Sequence, residues 1–302
     1  MPRFDVTVAG ELNLDLILYG LPEQLLPERE LLADRMMLTL GSSSAIVAHN
    51  LSALGSHVGF QSRIGDDPLG QIALQRLQEG RVDVSKVRIV PGATTTGLTV
   101  ILHHDPWRNI LTYSGTIAEL NWDDLDLGYL ADSRHFHLSS FYLHKALRPR
   151  IAELFQYMKS KGLTVSLDTN DDPDDRWEGG LKELLKYVDV FLPNEREACK
   201  AAGTENLEEA ITTLSGLVPL VVVKLGRKGA LARKGGELYS AATKEVVPVD
   251  TVGAGDSFDA GFLHEYVRGS DLQKCLESGN AAGALSTTRP GGTEAFREKY
   301  LR

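Results

Sequence analysis

Beyond residue 133 the sequence alternates between two apolar patterns, and that alternation restricts the fold more than any other feature. Segments 134–138, 163–167 and 188–192 are short runs with strand spacing, while 143–161 and 181–187 between them carry helical spacing. Leu220-Val221-Val222-Val223 is the most strand-like run of all. Strands joined through helices pair in parallel by right-handed crossovers, with helices covering the sheet. This is the α/β class, in which ligands bind beyond the carboxyl ends of the strands. Asp168 and Asn170 follow one strand and Asn194 and Glu197 another, so all four should face one crevice.

The run VDTVGAGDSFDAGF, 249–262, carries the chemistry. It begins β-branched, and Phe258, Phe262, Leu263, Tyr266 and Val267 then follow at the spacing of a helix face. Gly253, Ala254 and Gly255 form a turn at the start of that helix. Unpaired N–H groups there point the same way, at the positive end of the helix dipole, and glycine lets a ligand approach closely. Such a turn holds anions, phosphate above all. Asp256 stands beside it. A carboxylate repels a resident phosphate, so it suits a phosphoryl group in transit, where it accepts the proton of an attacking hydroxyl. The alternative for Asp256 is a helix N-cap.

The stretch D-T-x-G-A-G-D-x-F-x-x-G, unbroken from Asp250 to Gly261, resembles the signature of the PfkB, or ribokinase-like, family of sugar and nucleoside kinases. The resemblance covers nearly the whole chain. It implies a single domain over 1–302 with three α/β/α layers, a mainly parallel central sheet, and a small β lid from roughly 12–40 and 94–114. It implies Asp256 as catalytic base and the backbone of Gly253, Ala254 and Gly255 as the cradle of the transferred phosphoryl group. Asp15, with Asn13 beside it, occupies the place of the Asp that binds sugar hydroxyls. Gly41 and Ser42 open a segment similar to the family's Gly-Gly-x-x-x-Asn, but Ser42 replaces the second Gly and Ile46 the Asn. One polar acceptor contact is thereby missing, and Asn50 either supplies it or lies on the surface.

Other matches are shorter. Asp168 and Asn170, with Arg176 and Trp177, resemble the family's D-x-N…R…W segment at the acceptor. Asn194-x-x-Glu197 matches the motif that organises Mg²⁺ and its waters, and also reads as an N-cap with a capping box. Lys224, Gly226, Arg227 and Gly229 resemble the nucleotide-binding T-L-G-x-x-G, with Lys224 where Thr is common; read alone, Lys224 is a solvated side chain. Asn280, beside Ala281, Ala282, Gly283 and Ala284, marks the adenine side, although core packing also explains the small residues. Asp250 and the loop Arg289-Pro290-Gly291-Gly292-Thr293 fall beside the family's monovalent-cation site, which implies potassium.

Composition narrows the classes. A net charge of −9 removes nucleic acid as the main partner, since a phosphate-backbone binder needs a basic face. No apolar run reaches the ~20 residues of a membrane span. Two cysteines, Cys199 and Cys275, suit a reducing cytoplasm. Only Gly10 follows the first strand where a dinucleotide fingerprint needs three glycines, which disfavours a nicotinamide oxidoreductase. The expected function is ATP- and Mg²⁺-dependent phosphorylation of a hydroxyl, in particular a hydroxymethyl, of a sugar or sugar-like molecule. A nucleoside kinase is the alternative, because Ile46 and Phe141 suit a less polar acceptor. A non-catalytic sugar or nucleotide sensor is disfavoured by the intact Asp256 and Asn194-x-x-Glu197. Lid faces pair between subunits in the resembled family, which implies a homodimer.

Overall fold

The structure, a computed structural model, describes residues 2–92, 94–104 and 107–297. Its strands are β1 (Phe4–Ala9), β2 (Leu14–Tyr19), β3 (Arg35–Leu40), β4 (Val58–Gln61), β5 (Arg63–Gly65), β6 (Arg88–Val90), β7 (Leu98–His104), β8 (Trp107–Tyr113), β9 (Ser133–Leu138), β10 (Thr164–Leu167), β11 (Val190–Phe191), β12 (Leu220–Lys224), β13 (Ala230–Lys234) and β14 (Glu237–Ala241). The helices are α1 (Ser43–Ala53), α2 (Pro68–Glu79), α3 (Leu127–Ala131), α4 (Ile151–Ser160), α5 (Leu181–Leu185), α6 (Glu195–Ala202), α7 (Leu207–Ser215), α8 (Ala254–Tyr266), α9 (Leu272–Ser286) and α10 (Glu294–Arg297).

The main sheet runs β14-β13-β12-β11-β10-β9-β1-β4. From β12 to β4 all neighbours are parallel, and β13 and β14 extend the edge antiparallel. Alternate residues feed two cores. Val221 and Val223 point into the layer that holds Leu154, Phe155, Leu184 and Leu214 of α4, α5 and α7. Leu220 and Val222 point the other way, toward Leu51, Phe262 and Leu276 of α1, α8 and α9. Burial on both faces is why these strands read as continuous apolar runs.

A second sheet, β3-β2-β7-β8, stands apart from the first. β2 is antiparallel to β3 and parallel to β7, and β7 and β8 form a hairpin. Segment 31–40, open to either reading by pattern, is a strand over its second half. The helix expected over 143–161 starts only at Ile151. Arg148-Pro149-Arg150 forms a 3₁₀ turn before it, because proline cannot donate within a helix interior. Among the described residues no helix is long and apolar enough to cross a membrane.

Candidate active site

The first turn of α8 sits between α1 and the loop at Gly292. Gly253 takes a left-handed backbone with φ of 71° and caps the helix. A Cβ there would lie 2.5 Å from Gly292 Cα, so only glycine fits. On Gly255 a Cβ would meet nothing nearer than Lys224 Nζ at 3.6 Å, which leaves that backbone approachable. Asp256 follows in the same turn and is only 8% exposed. Burial lifts its carboxyl to about 6, helped by Asp168 and opposed by Lys224 and by Ser43. A carboxyl balanced near neutrality is suited to take up a proton and return it.

Asp15 faces the same region from β2. Burial raises it to about 7, Asp256 and Asp250 add to the effect, and Arg108 opposes it. Gly41 leaves room for it: a Cβ there would stand 2.1 Å from Asp15 Oδ1. Ser42 has φ of 65°, a region glycine favours, and accounts for its own hydroxyl. Its Oγ donates to the Glu11 carbonyl at 2.6 Å and accepts from Ala45 N–H at 3.0 Å, capping α1. Asn13 Nδ2 donates to the Leu14 carbonyl at 3.0 Å and to Thr99 Oγ1 at 3.4 Å. Asn170, also left-handed at φ 51°, accepts from Ser140 N–H at 2.9 Å. Ile46 backs the turn that opens α8, since Cβ atoms on Gly253 and Gly292 would come within 3.2 and 2.6 Å of its Cδ1. Asn50 is neither a sugar contact nor a surface residue. Fully buried, it donates to Ser257 Oγ and to the Gly292 carbonyl, both at 3.0 Å, and so fastens that loop to α8. Phe141 is a core residue packed against Tyr142.

Behind the turn lies a buried charge cluster. Lys224, at the end of β12, is no solvated lysine: Nζ donates to Asp168 Oδ2 at 2.6 Å and to both Asp259 oxygens at 3.2 Å. Burial works against its charge, yet Asp168, Asp259 and Glu197 hold the ammonium protonated. Burial also works against Asp168, but Lys224 and hydrogen bonds from Asp259 keep that carboxyl low. Asp259 is pushed well up by burial, with Lys224 opposing. Glu197 rises to about 7 through burial and the Asp168 charge.

Asn194 and Glu197 form the capping box of α6. Asn194 Oδ1 accepts from Glu197 N–H at 2.9 Å, and Glu197 Oε2 accepts from Asn194 N–H at 2.8 Å. Three acid side chains, Asp168, Asp259 and Glu197, surround the one cation Lys224. Among the described residues no group of three or more ligating side chains converges. Asp250 already has donors on both oxygens: Val252 N–H at 3.0 Å, Tyr19 O–H at 2.6 Å and Gly291 N–H at 3.2 Å. A monovalent cation would have to compete with all three.

Beyond the end of β12, Gly226 and Arg227 are exposed in a 3₁₀ turn, and a Cβ on Gly226 would meet open space. Gly229 is pressed against the chain instead, its hypothetical Cβ 2.1 Å from the Ala241 carbonyl oxygen. Asn280 Nδ2 donates to that same oxygen at 2.8 Å. The small residues around it bring helices together: a Cβ on Gly261 would lie 2.5 Å from the Ser278 carbonyl, and one on Gly279 2.8 Å from the Phe258 ring.

Comparison with known proteins decides the lineage. The model of the pfkB family carbohydrate kinases matches residues 3–299. The chain belongs to that family. It is a carbohydrate kinase, a phosphotransferase with an alcohol acceptor. The ATP-dependent ribose-1-phosphate kinase of Halopiger xanaduensis is similar to it, 32% identical over 84% of this chain and 82% of its own. The cytidine kinase of Thermococcus kodakarensis is 29% identical, with 91% and 93% covered. Arabidopsis thaliana ribokinase, solved with ribose and ATP, superimposes with a TM-score of 0.82 at 25% identity, covering 99% of this chain and 98% of that one.

Sequence reasoning missed three groups of this kinase site. Ser43 lies beside Asp256 and favours its charged form. Asp259 is the second partner of Lys224. Glu11 is buried and accepts from Ser44 Oγ at 2.7 Å and Ser140 Oγ at 2.8 Å. Burial works against its charge, but hydrogen bonds from His144 and Ser44 hold it at about 2. A signal existed for Asp259: it stands between Phe258 and Ala260 on a helix with no polar face, which demands a buried partner.

Proposed function

We propose that this kinase transfers the γ-phosphoryl group of ATP to a hydroxyl, in particular a hydroxymethyl, of a sugar or sugar-like acceptor, with Asp256 as general base. The carrying observation is a buried carboxyl, lifted to about 6, in the first turn of α8, next to the left-handed Gly253 that caps the helix. The acceptor oxygen attacks the γ-phosphorus, its proton passes to Asp256, and the bond to the β-phosphate breaks to release ADP. Gly253, Ala254 and Gly255 donate N–H groups to the charge spread over the transferred oxygens. Asp15 accepts from acceptor hydroxyls and orients the one that attacks. Gly226 and Arg227 flank the nucleotide, and the Lys224–Asp168 ion pair braces the turn from behind. Glu197 and Asn194 would hold Mg²⁺ through water, and the ion would neutralise phosphate charge.

The smaller sheet works as a lid that excludes water from the transfer. Its outer face is apolar: Leu16, Leu18, Met36, Val100, Leu111 and Tyr113 share it by register. Met36, Leu111 and Tyr113 are 64, 53 and 56% exposed, which supports a homodimer through this face. A cytoplasmic location agrees with the free thiols Cys199 and Cys275. A nucleoside acceptor uses the same base and turn, and the cytidine kinase among its relatives keeps it as the second reading. ADP release measured over sugars, sugar derivatives and nucleosides tests the proposal. Release that depends on one acceptor class supports it, and nucleotide binding without release on any acceptor favours a sensor.

A further inference from the structure

Asp250 falls beside the family's monovalent-cation site, and this chain surrounds its carboxylate with donors of its own. The side chain is buried, in a residue 4% exposed. Val252 N–H takes Oδ1 at 3.0 Å, and Gly291 N–H at 3.2 Å shares Oδ2 with the Tyr19 hydroxyl at 2.6 Å. These donors use most of the roughly four lone-pair sites that a carboxylate offers. Two neighbouring carbonyls are engaged as well. The Gly292 oxygen accepts from Asn50 Nδ2 at 3.0 Å and from Ser257 Oγ at 3.4 Å. The Thr287 oxygen accepts from the N–H groups of Val249 and Asp250 at 2.7 and 3.2 Å. A potassium ion gives up its water only to a ring of free oxygens. These oxygens are taken, and the residues do not fit the ion.

The shortest of the three bonds comes from the other sheet. Tyr19 ends β2, the strand of Asp15, and the two side chains share a face. Its ring packs with Ile17, Ile101 and Val252 and lies 5.4 Å from His103, so a packed wall holds the hydroxyl against Asp250. Burial and the Asp250 charge keep that hydroxyl protonated. Asp250 in turn ties together the segments on either side of the glycine turn. Val252 precedes Gly253, and Gly291 precedes Gly292, against which Gly253 is pressed. We propose that the Tyr19 hydroxyl takes the place of a monovalent cation at Asp250, holding the turn that opens α8 and fixing β2 with Asp15 above it, so that this kinase needs no such ion. Tyr19 is a positioning residue, since it acts through Asp250 and not on the reacting atoms. The inference deepens the kinase reading above, on which its rate measurements rest.

Steady-state kinetics and thermal unfolding of the full chain test it, in potassium chloride against tetramethylammonium chloride at an equal ionic strength of about 0.1 M. Wild type, Tyr19→Phe and Tyr19→Ala are assayed with ATP as its Tris salt. The acceptor is whichever of ribose, fructose, cytidine, ribose 1-phosphate, fructose 6-phosphate and 2-dehydro-3-deoxygluconate turns over fastest. Wild type should work equally well in both salts, within about twofold. Tyr19→Phe keeps the shape but loses a bond to a charged group, and its kcat should fall about tenfold in both salts. Tyr19→Ala also clears the space beside Oδ2. Potassium should there restore kcat about fivefold and raise the melting temperature by about 2–4 °C over the tetramethylammonium value. Activation of wild type by potassium of about fivefold or more overturns the inference and leaves the kinase reading standing. Full activity in Tyr19→Phe does the same, as does a loss in Tyr19→Ala that potassium leaves untouched. If Tyr19→Ala does not fold, wild type and Tyr19→Phe decide. Failure to phosphorylate any probe counts against the kinase reading instead, and the melting temperatures then decide alone. Potassium that stabilises Tyr19→Ala and not wild type upholds the inference; potassium that stabilises both alike, or neither, overturns it.

Discussion

Asp15 and Asp256 are costly residues. Both are buried and both hold protons more tightly than exposed carboxyls do, Asp15 up to about 7 and Asp256 up to about 6. Between its ordinary 3.8 and about 7, Asp15 keeps a proton in the folded chain that the unfolded chain has released. Folding therefore takes up protons, and stability falls as pH rises through that window. Asp15→Asn should raise unfolding stability at pH 8 by about 1–3 kcal/mol, with the gain fading toward pH 4, while acceptor turnover collapses. Urea unfolding at several pH values checks this. With Asp256 as base, kcat/KM should fall about tenfold per unit as pH drops below about 6, read from a pH–rate profile. Lys224 makes the opposite kind of contribution. Lys224→Met strands Asp168 and Glu197 without their cation and should destabilise the fold by about 3–5 kcal/mol; adding Asp168→Asn should restore part of it. Thermal unfolding of the single and double variants separates the two.

At the scale of elements, two backbone positions hold the turn in shape. Gly253→Ala puts a methyl group against Gly292 at positive φ and should cost at least about 1–2 kcal/mol, with ATP affinity lost alongside. Unfolding curves and nucleotide titration report both effects. The parallel sheet and α8 were legible because Leu220–Val223 and Phe258–Phe262 speak through local period alone. The glycine turn before α8 was legible because the run from Asp250 to Gly261 resembles a family signature as a whole, where its glycines alone were only suggestive. Long-range pairings were not. Nothing near Lys224 in the sequence points to Asp168, 56 residues away, or to Asp259. Ser42 kept the left-handed position of the glycine it replaces by using its hydroxyl as a cap, a substitution visible only in the dihedral. Ile46 suggested an apolar acceptor because its neighbours Gly253 and Gly292, far along the chain, were unseen.

For the whole molecule, the two sheets divide the work. The carboxyl edge of the main sheet supplies α8, Lys224 and Glu197, while the smaller sheet brings Asp15 over them and turns an apolar back to solvent. Leu111→Lys on that back should convert a dimer to a monomer, seen by light scattering as a halved molar mass, with the Asp256 chemistry intact. The most direct test lies at the convergence of both sheets: turnover of Asp256→Asn at pH 8, with ATP affinity titrated on the same sample. A loss in kcat of about a hundredfold or more with ATP affinity nearly unchanged is the predicted result. Turnover close to wild type in a folded variant would contradict the account.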